Sequence, residues 1–187
     1  MSRVFLLSPA HSGGKRAAML TRPGASFELA RQVQIGAASL GDVYTFCSGL
    51  YFRGKLTYAR RFAEPPSVLI ITPSRGLIAA DAMIGTRELA EFAQVAVDSA
   101  EPRFTGPLRA SALALAGLPH REVILLGSVA TGKYLDTLRP IFGKRLLFPE
   151  EFAGRGDMSR GALLLRSVVA SQELHYVPVP LTANKRK

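Results

Sequence analysis

The residues best suited to chemistry lie between Glu122 and Tyr134. An apolar run, Val123-Ile124-Leu125-Leu126, stops at Gly127, and Gly132 and Lys133 follow it closely. The spacing satisfies G-x-x-x-x-G-K, and a helical pattern starts at Tyr134-Leu135-Asp136. Strand, glycine loop, helix is an order that turns backbone N–H groups and a helix N-terminus toward an anion. The Ser or Thr that should follow the lysine and hold Mg²⁺ is replaced by Tyr134. No downstream strand ends in the metal-binding Asp of a nucleotide hydrolase, because Leu146-Leu147-Phe148 runs into Pro149-Glu150-Glu151. The expected chemistry is therefore phosphate recognition without nucleotide hydrolysis. Gly127, Ser128, Thr131, Gly132 and Lys133 would form the cradle, with Tyr134 as a stacking side chain.

Such a loop needs a scaffold, and the hydrophobic pattern supplies one. Short apolar runs at Val4–Leu7, Val68–Thr72, Val123–Leu126 and Arg145–Phe148 predict strands. Two of them, Val68-Leu69-Ile70-Ile71 and Val123-Ile124-Leu125-Leu126, are apolar on both faces, as in central parallel strands covered by helices. Helical spacing appears at Phe27–Gln34, Ser48–Phe62, Thr86–Phe92, Gly106–Ala116, Gly132–Phe142 and Met158–Ser171. Leu40–Phe46 reads as one more strand. Strands alternating with helices predict an α/β fold, a three-layer sandwich around a mainly parallel central sheet. Residues 1–181 are expected to form a single α/β domain and residues 182–187 a basic, frayed tail.

Ligands of open α/β sheets bind beyond the carboxyl ends of the strands. The four loops expected there all carry glycine, small hydroxyl residues and a Lys or Arg. The first offers Ser8, His11, Ser12, Lys15 and Arg16; the second Ser74, Arg75 and Asp81; the third is the cradle ending in Lys133; the fourth offers Arg155, Asp157 and Arg160. In the helix Ser48–Phe62 the apolar positions leave Arg53, Lys55, Arg60 and Arg61 to face solvent, and Arg53 joins the phosphate-contacting set. His11, Asp81 and Asp157 are the candidate catalytic groups, as acid, base or ribose-positioning side chains. Plainer readings stand beside these. Gly13-Gly14 and Gly154-Arg155-Gly156 could be simple turns, Asp157 a helix N-cap, and Ser8, Ser74 and Ser128 turn-closing hydroxyls.

Composition narrows the partners. With 24 Lys and Arg against 14 Asp and Glu, the chain of 187 residues carries a net charge of +10, which favours a polyanion such as nucleic acid. A single cysteine, Cys47, excludes a disulfide framework and any Cys-based zinc site within one chain, and His11, His120 and His175 are scattered. No metal and no cofactor is expected. Cys47 reads as a buried structural cysteine, or as a thiolate stabilised by a helix beginning at Ser48. The opening apolar run is too short for a secretory signal, and no run is long enough to span a membrane. The expectation is a cytoplasmic protein with no membrane partner.

The loops, taken together, resemble a family. The motifs are Ser8…Ser12…Lys15-Arg16, then Leu50-Tyr51-Phe52-Arg53, then Ile71-Thr72-Pro73-Ser74-Arg75-Gly76-Leu77-Ile78…Asp81. They are similar to a widespread bacterial family of uncharacterised proteins, itself similar to the uracil-DNA-glycosylase-like domain attached to archaeosine-forming tRNA enzymes. A fainter likeness runs to the DNA-binding peroxide-stress-response family, which also opens on a Leu-Ser-Pro-Ala-like stretch. The resemblance covers about Arg3 to Arg166 and implies a uracil-DNA-glycosylase-like fold and nucleic-acid handling. It does not carry the glycosylase mechanism. Pro9-Ala10-His11 provides no carboxylate where such enzymes position water, and no His-Pro-Ser segment occurs. Where the family often has His, this chain has Arg75.

Three functions follow as expectations. The first is a nucleic-acid-binding or base-processing protein, DNA or RNA, with Lys15, Arg16, Arg53, Arg75, Lys133, Arg155 and Arg160 on phosphates and Phe52 or Tyr134 stacked on a base. The second is an enzyme acting on a small phosphorylated metabolite or nucleotide. The third is a non-catalytic basic subunit that docks a nucleoprotein or an acidic partner. Whether a reaction occurs at all is left open by the sequence.

Overall fold

A computed structural model describes residues 3–64, 67–118 and 122–180. The elements in chain order are β1 (Arg3–Leu7), α1 (Lys15–Thr21), α2 (Glu28–Gln34), β2 (Ala38–Ser39), α3 (Leu40–Ser48), α4 (Leu50–Phe62), β3 (Val68–Thr72), β4 (Gly76–Ala79) and β5 (Met83–Ile84). They continue with α5 (Thr86–Ala93), α6 (Pro102–Ala116), β6 (Glu122–Leu126), α7 (Gly132–Phe142), β7 (Leu146–Pro149), α8 (Asp157–Val169) and β8 (Tyr176–Pro178). The expected basic tail lies outside the described residues.

Six strands make the central sheet in the order β4-β3-β1-β6-β7-β8. The inner four are parallel, and β4 and β8 are added antiparallel at the two edges. β1 lies between β3 and β6, with Phe5 opposite Val68 and Ile124, and Leu7 opposite Ile70 and Leu126. Val4, Phe5, Leu6 and Leu7 are wholly buried, so both faces of the sheet are covered at its centre. That is why these strands read as unbroken apolar runs rather than alternating ones. α4 packs on β1 and β3 and along α8; α6 packs on β3 and β4 and against α7, which rests on β7. The α/β class with a mainly parallel central sheet is therefore observed.

The α4–α8 seam is backbone against backbone. A Cβ on Gly54 would lie 2.7 Å from the Gly161 carbonyl oxygen, and one on Gly161 would lie 2.9 Å from Tyr51 Cα. Glycine at both positions lets the axes close and buries the face of α4 that carries Tyr51, Phe52 and Lys55.

Several expectations are corrected. Leu40–Phe46 is helix α3 rather than a strand: Ser39 caps it by accepting the Asp42 N–H at 3.1 Å, and Leu40, Gly41, Val43 and Tyr44 are buried at helical spacing. Gly49, at φ 65°, then breaks the chain between α3 and α4. Cys47 therefore sits in the last turn of α3 rather than immediately before a helix beginning at Ser48. Burial pushes its thiol up to about 11, with the Arg16 charge opposing, so the thiolate reading fails. Lys15 and Arg16 belong to α1 rather than a loop.

The loop after β3 is a tight hairpin. β4 returns antiparallel, pairing Thr72 with Gly76 and Leu69 with Ala79, which carries Asp81 back to the amino end of β3.

Each sheet edge is closed differently. On β4, the Leu77 N–H is taken by the Ser111 hydroxyl of α6 at 3.0 Å. On β8, the three-residue strand ends in Pro178, which has no N–H to offer. No helix among the described residues is long and apolar enough to cross a membrane.

Candidate functional site

With the parallel strands in spatial order second, first, third, fourth, the topological switch point falls between β1 and β6. A crevice is expected beyond their carboxyl ends. Ser8 follows β1 directly and Gly127 follows β6, and the two touch: a Cβ on Gly127 would lie 3.0 Å from Ser8 Cβ. The Ser8 N–H donates to the Leu126 carbonyl at 3.1 Å, which fixes the serine at the seam.

Beside this seam opens a cleft of about 540 Å³ lined by Pro9–Gly13, Pro73, residues 92–97, Lys133 and Tyr134. Among the described residues its ionisable lining groups are His11, Lys133 and the Tyr134 phenol, and no carboxylate lines it. The His11 ring lies over the Gly13-Gly14 turn, where a Cβ on Gly14 would approach Cδ2 to 3.1 Å. Phe92, Val95, Val97 and the two prolines supply an apolar wall. A basic, partly apolar cleft suits an anion attached to a flat or apolar group.

Behind that wall sits a group the sequence reading missed. Lys55, expected on the exposed face of its helix, is 1% exposed. Its Nζ donates to the Ser8 carbonyl at 2.7 Å and to Ser8 Oγ at 2.8 Å. It also lies 4.4 Å and 4.8 Å from the ring centroids of Tyr51 and Phe52, where the ring faces offset part of the lost hydration. Desolvation pulls the amine down to about 7, with the Asp157 carboxylate raising it and the Arg160 guanidinium lowering it. The missed signal was position: Lys55 follows Tyr51 by four residues and Phe52 by three, in the middle of the buried stripe.

Tyr134 closes the cluster. Burial pushes its phenol up to about 12, the Asp157 charge adds to the rise, and a hydrogen bond with Ser8 opposes it. Tyr51 is likewise raised to about 12 by burial, against the nearby Arg160, and its buried hydroxyl has no partner of good hydrogen-bond geometry among the described residues. Arg160 is held against Phe152, donating to its carbonyl at 3.3 Å and lying over its ring, and is 3.5 Å from Asp157. Asp157 is the first residue of α8 after the cap Gly156. It reaches this cluster electrostatically.

The remaining predicted residues divide. The glycine cradle does not form an anion nest: none of residues 127–132 has a positive φ, whereas a nest alternates right- and left-handed backbone. Ser128 closes a turn by accepting the Ala130 N–H at 3.3 Å. Thr131 is the α7 N-cap without a side-chain bond, and the Asp136 carboxylate folds back onto Gly132. Only Lys133 and Tyr134 of this motif reach the cleft.

Ser12 is buried with its hydroxyl 3.3 Å from that of Tyr44. Phe52 is fully buried, edge-on to Tyr44, and has no face for a base. Ser74 and Arg75 are tied to α5: Arg75 bonds Glu91 at 2.6 Å and Glu88 at 3.4 Å, and Ser74 donates to Glu91. Arg16 donates to the Phe46 carbonyl at 3.2 Å. Arg155 donates to the Glu151 carbonyl at 2.8 Å and to Ser159 at 3.1 Å.

Lys15, Arg53 and Lys133 have no ion-pair partner among the described residues. Asp81 forms an exposed ion pair with Arg60 at the amino end of β3, so His11, Asp81 and Asp157 are not brought together. No group of His, Cys, Asp or Glu able to hold a metal occurs among the described residues. Comparison of the chain with protein-family models, curated proteins and solved structures finds no match.

Proposed function

We propose that this protein binds a phosphate-bearing ligand of the nucleic-acid class in the β1/β6 cleft, on a uracil-DNA-glycosylase-like scaffold, as a nucleic-acid-binding or base-processing protein. One observation carries the reading. Apart from the Tyr134 phenol, the cleft's ionisable lining groups are His11 and Lys133, set among apolar side chains. The net charge of +10 and Lys15 and Arg53, which have no ion-pair partner among the described residues and stand on the first turns of α1 and α4, support it. Lys133 would contact a phosphate and Tyr134 would flank the attached ring.

Phosphate contacts release counterions, so affinity for a single-stranded oligonucleotide should fall steeply with salt. Lys133→Ala should reduce the log–log salt slope by about one contact. Fluorescence anisotropy from low to moderate salt reads both quantities. A flat salt dependence, or a slope indifferent to Lys133, would overturn the assignment.

The volume of the cleft favours a second reading. About 540 Å³ lies within the range of small-molecule sites, so a mononucleotide or sugar phosphate would fit as the whole ligand. A thermal-shift series with nucleotides, nucleosides and sugar phosphates separates the two: stabilisation by small phosphates with no oligonucleotide binding selects the second.

A further inference from the structure

We propose that Ser8 and Lys55 form a nucleophile–general base pair that transfers acyl groups, its substrate an ester or amide whose anionic part lies in the neighbouring cleft. The anionic part of that substrate rests on the phosphate-binding reading above; the pair itself does not.

A serine is activated when a base lies within hydrogen-bond reach and is itself oriented by a third group. Lys55 Nζ is 2.8 Å from Ser8 Oγ and is held in place by the Ser8 carbonyl at 2.7 Å. Among the described residues no carboxylate hydrogen-bonds this amine, and Asp157 favours its charge only from a distance, against desolvation and Arg160. A fully desolvated lysine is costly where a methionine would pack, and such groups concentrate at reactive sites.

When the amine carries its third proton it donates to Oγ, and the serine hydroxyl points at the Leu126 carbonyl, 3.3 Å away. Once that proton leaves, the hydroxyl can turn and donate to Nζ instead. Glycine at 127 is what the close approach to the serine requires, since a Cβ there would lie 3.2 Å from Oγ. Ser8 is 5% exposed beside the cleft rather than lining it; Pro9, next to it in sequence, and Tyr134, whose phenol contacts it, line the cleft itself.

The reaction balances with water as the only co-reactant. Ser8 Oγ bonds to the acyl carbon while its proton passes to neutral Lys55. The C–O or C–N bond to the leaving group breaks, and Lys55 returns the proton to that oxygen or nitrogen. Water then attacks the acyl-serine, giving its proton to Lys55, which restores it to Ser8 Oγ as the acid departs.

The test is phosphonylation of the folded full-length chain with a small neutral fluorophosphonate, followed by intact mass and peptide mapping. A single adduct on Ser8 is expected. Lys55→Arg, which keeps the positive charge without a usable base, should slow labelling at least ~100-fold. Arg60→Gln, far from the site, should leave the rate unchanged. Labelling should accelerate through the range around pH 7 as Lys55 discharges. The groups facing it are Ser8 from the end of β1, Tyr51 and Phe52 from its own helix, Tyr134 from α7, and Asp157 and Arg160 from α8.

No adduct on folded wild-type protein, an adduct elsewhere, or a rate indifferent to Lys55→Arg would each overturn the pair. Because the reagent is neutral, labelling without phosphate binding would retire only the cleft reading. Phosphate binding without labelling would retire only the pair.

Discussion

Lys55 and Arg75 stand near the carboxyl ends of adjacent strands, β1 and β3, and the fold treats them in opposite ways. Arg75 is about one-third exposed and gripped by Glu88 and Glu91. Lys55 is sealed under α8, bonded only to a serine, with no carboxylate at hydrogen-bond distance. Arg75 is an ordinary structural cation whose charge is neutralised in place. Lys55 has a charge the protein disfavours, and it sits at the switch point where ligands of such sheets bind. A cation's proximity to a strand end is a poor guide to its role; what neutralises it is a better one.

The largest effect should come from breaking the seam that buries Lys55. Gly54→Ala drives a methyl into the Gly161 carbonyl and should cost about 3 kcal/mol in urea unfolding. A cost below about 1 kcal/mol would mean that α4 and α8 can part easily, and the contrast with Arg75 would dissolve.

The second effect is pH dependence. Burial lowers Lys55 from 10.5 to about 7 in the folded state, so above pH 7 the unfolded chain binds the extra proton. Stability should therefore rise with pH, at up to about 1.4 kcal/mol per pH unit. The window runs from about pH 7 to pH 8.5, beyond which the Cys47 thiol and then the tyrosines, all raised by burial, oppose and reverse the trend. Lys55→Met should flatten this slope. A wild-type stability that falls or stays level across the window would contradict a desolvated amine.

Arg75→Ala should matter least: at most about 1 kcal/mol at neutral pH, shrinking with salt, because the pair is solvent-screened. Its hydrogen bonds from Arg75 and Ser74 hold Glu91 down at about 2. That stabilisation is present above the ordinary glutamate range and is lost as pH falls from about 4.5 toward 2. Oligonucleotide affinity should be unchanged in Arg75→Ala and reduced in Lys133→Ala, whose stability should stay within about 0.5 kcal/mol of wild type.

Legibility in the sequence followed burial on two faces. β1, β3, β6 and β7 were readable because strands covered on both sides show as unbroken apolar runs. β4 and β8 were not, since short edge strands are set by pairing partners far along the chain. Leu40–Phe46 misled because Leu, Val, Tyr and Phe in near-alternation satisfy a strand pattern, and the Ser39 cap outweighed it. The glycine–lysine motif marked the correct strand end, but spacing does not encode the backbone handedness a nest requires. Only Lys133 and Tyr134 survived from it as cleft residues. Lys55 was hidden by its charge: a lysine at a helical position defaults to solvent unless the helix beside it is known, and α8 lies about a hundred residues downstream.

The two closed edges of the sheet bear on how this protein fails. β4 has its outward Leu77 N–H occupied by Ser111, and β8 presents a short rim ending in proline. Edge-to-edge pairing between molecules is thereby discouraged. β8 is tethered by the Tyr58–Tyr176 hydroxyl contact at 2.6 Å and by Glu173 on Arg3 at 2.7 Å. Loss of β8 would bare β7, a strand from the middle of an apolar sheet, while leaving most of the core packed. Damage to β8 would thus emerge first as self-association, before any loss of secondary structure.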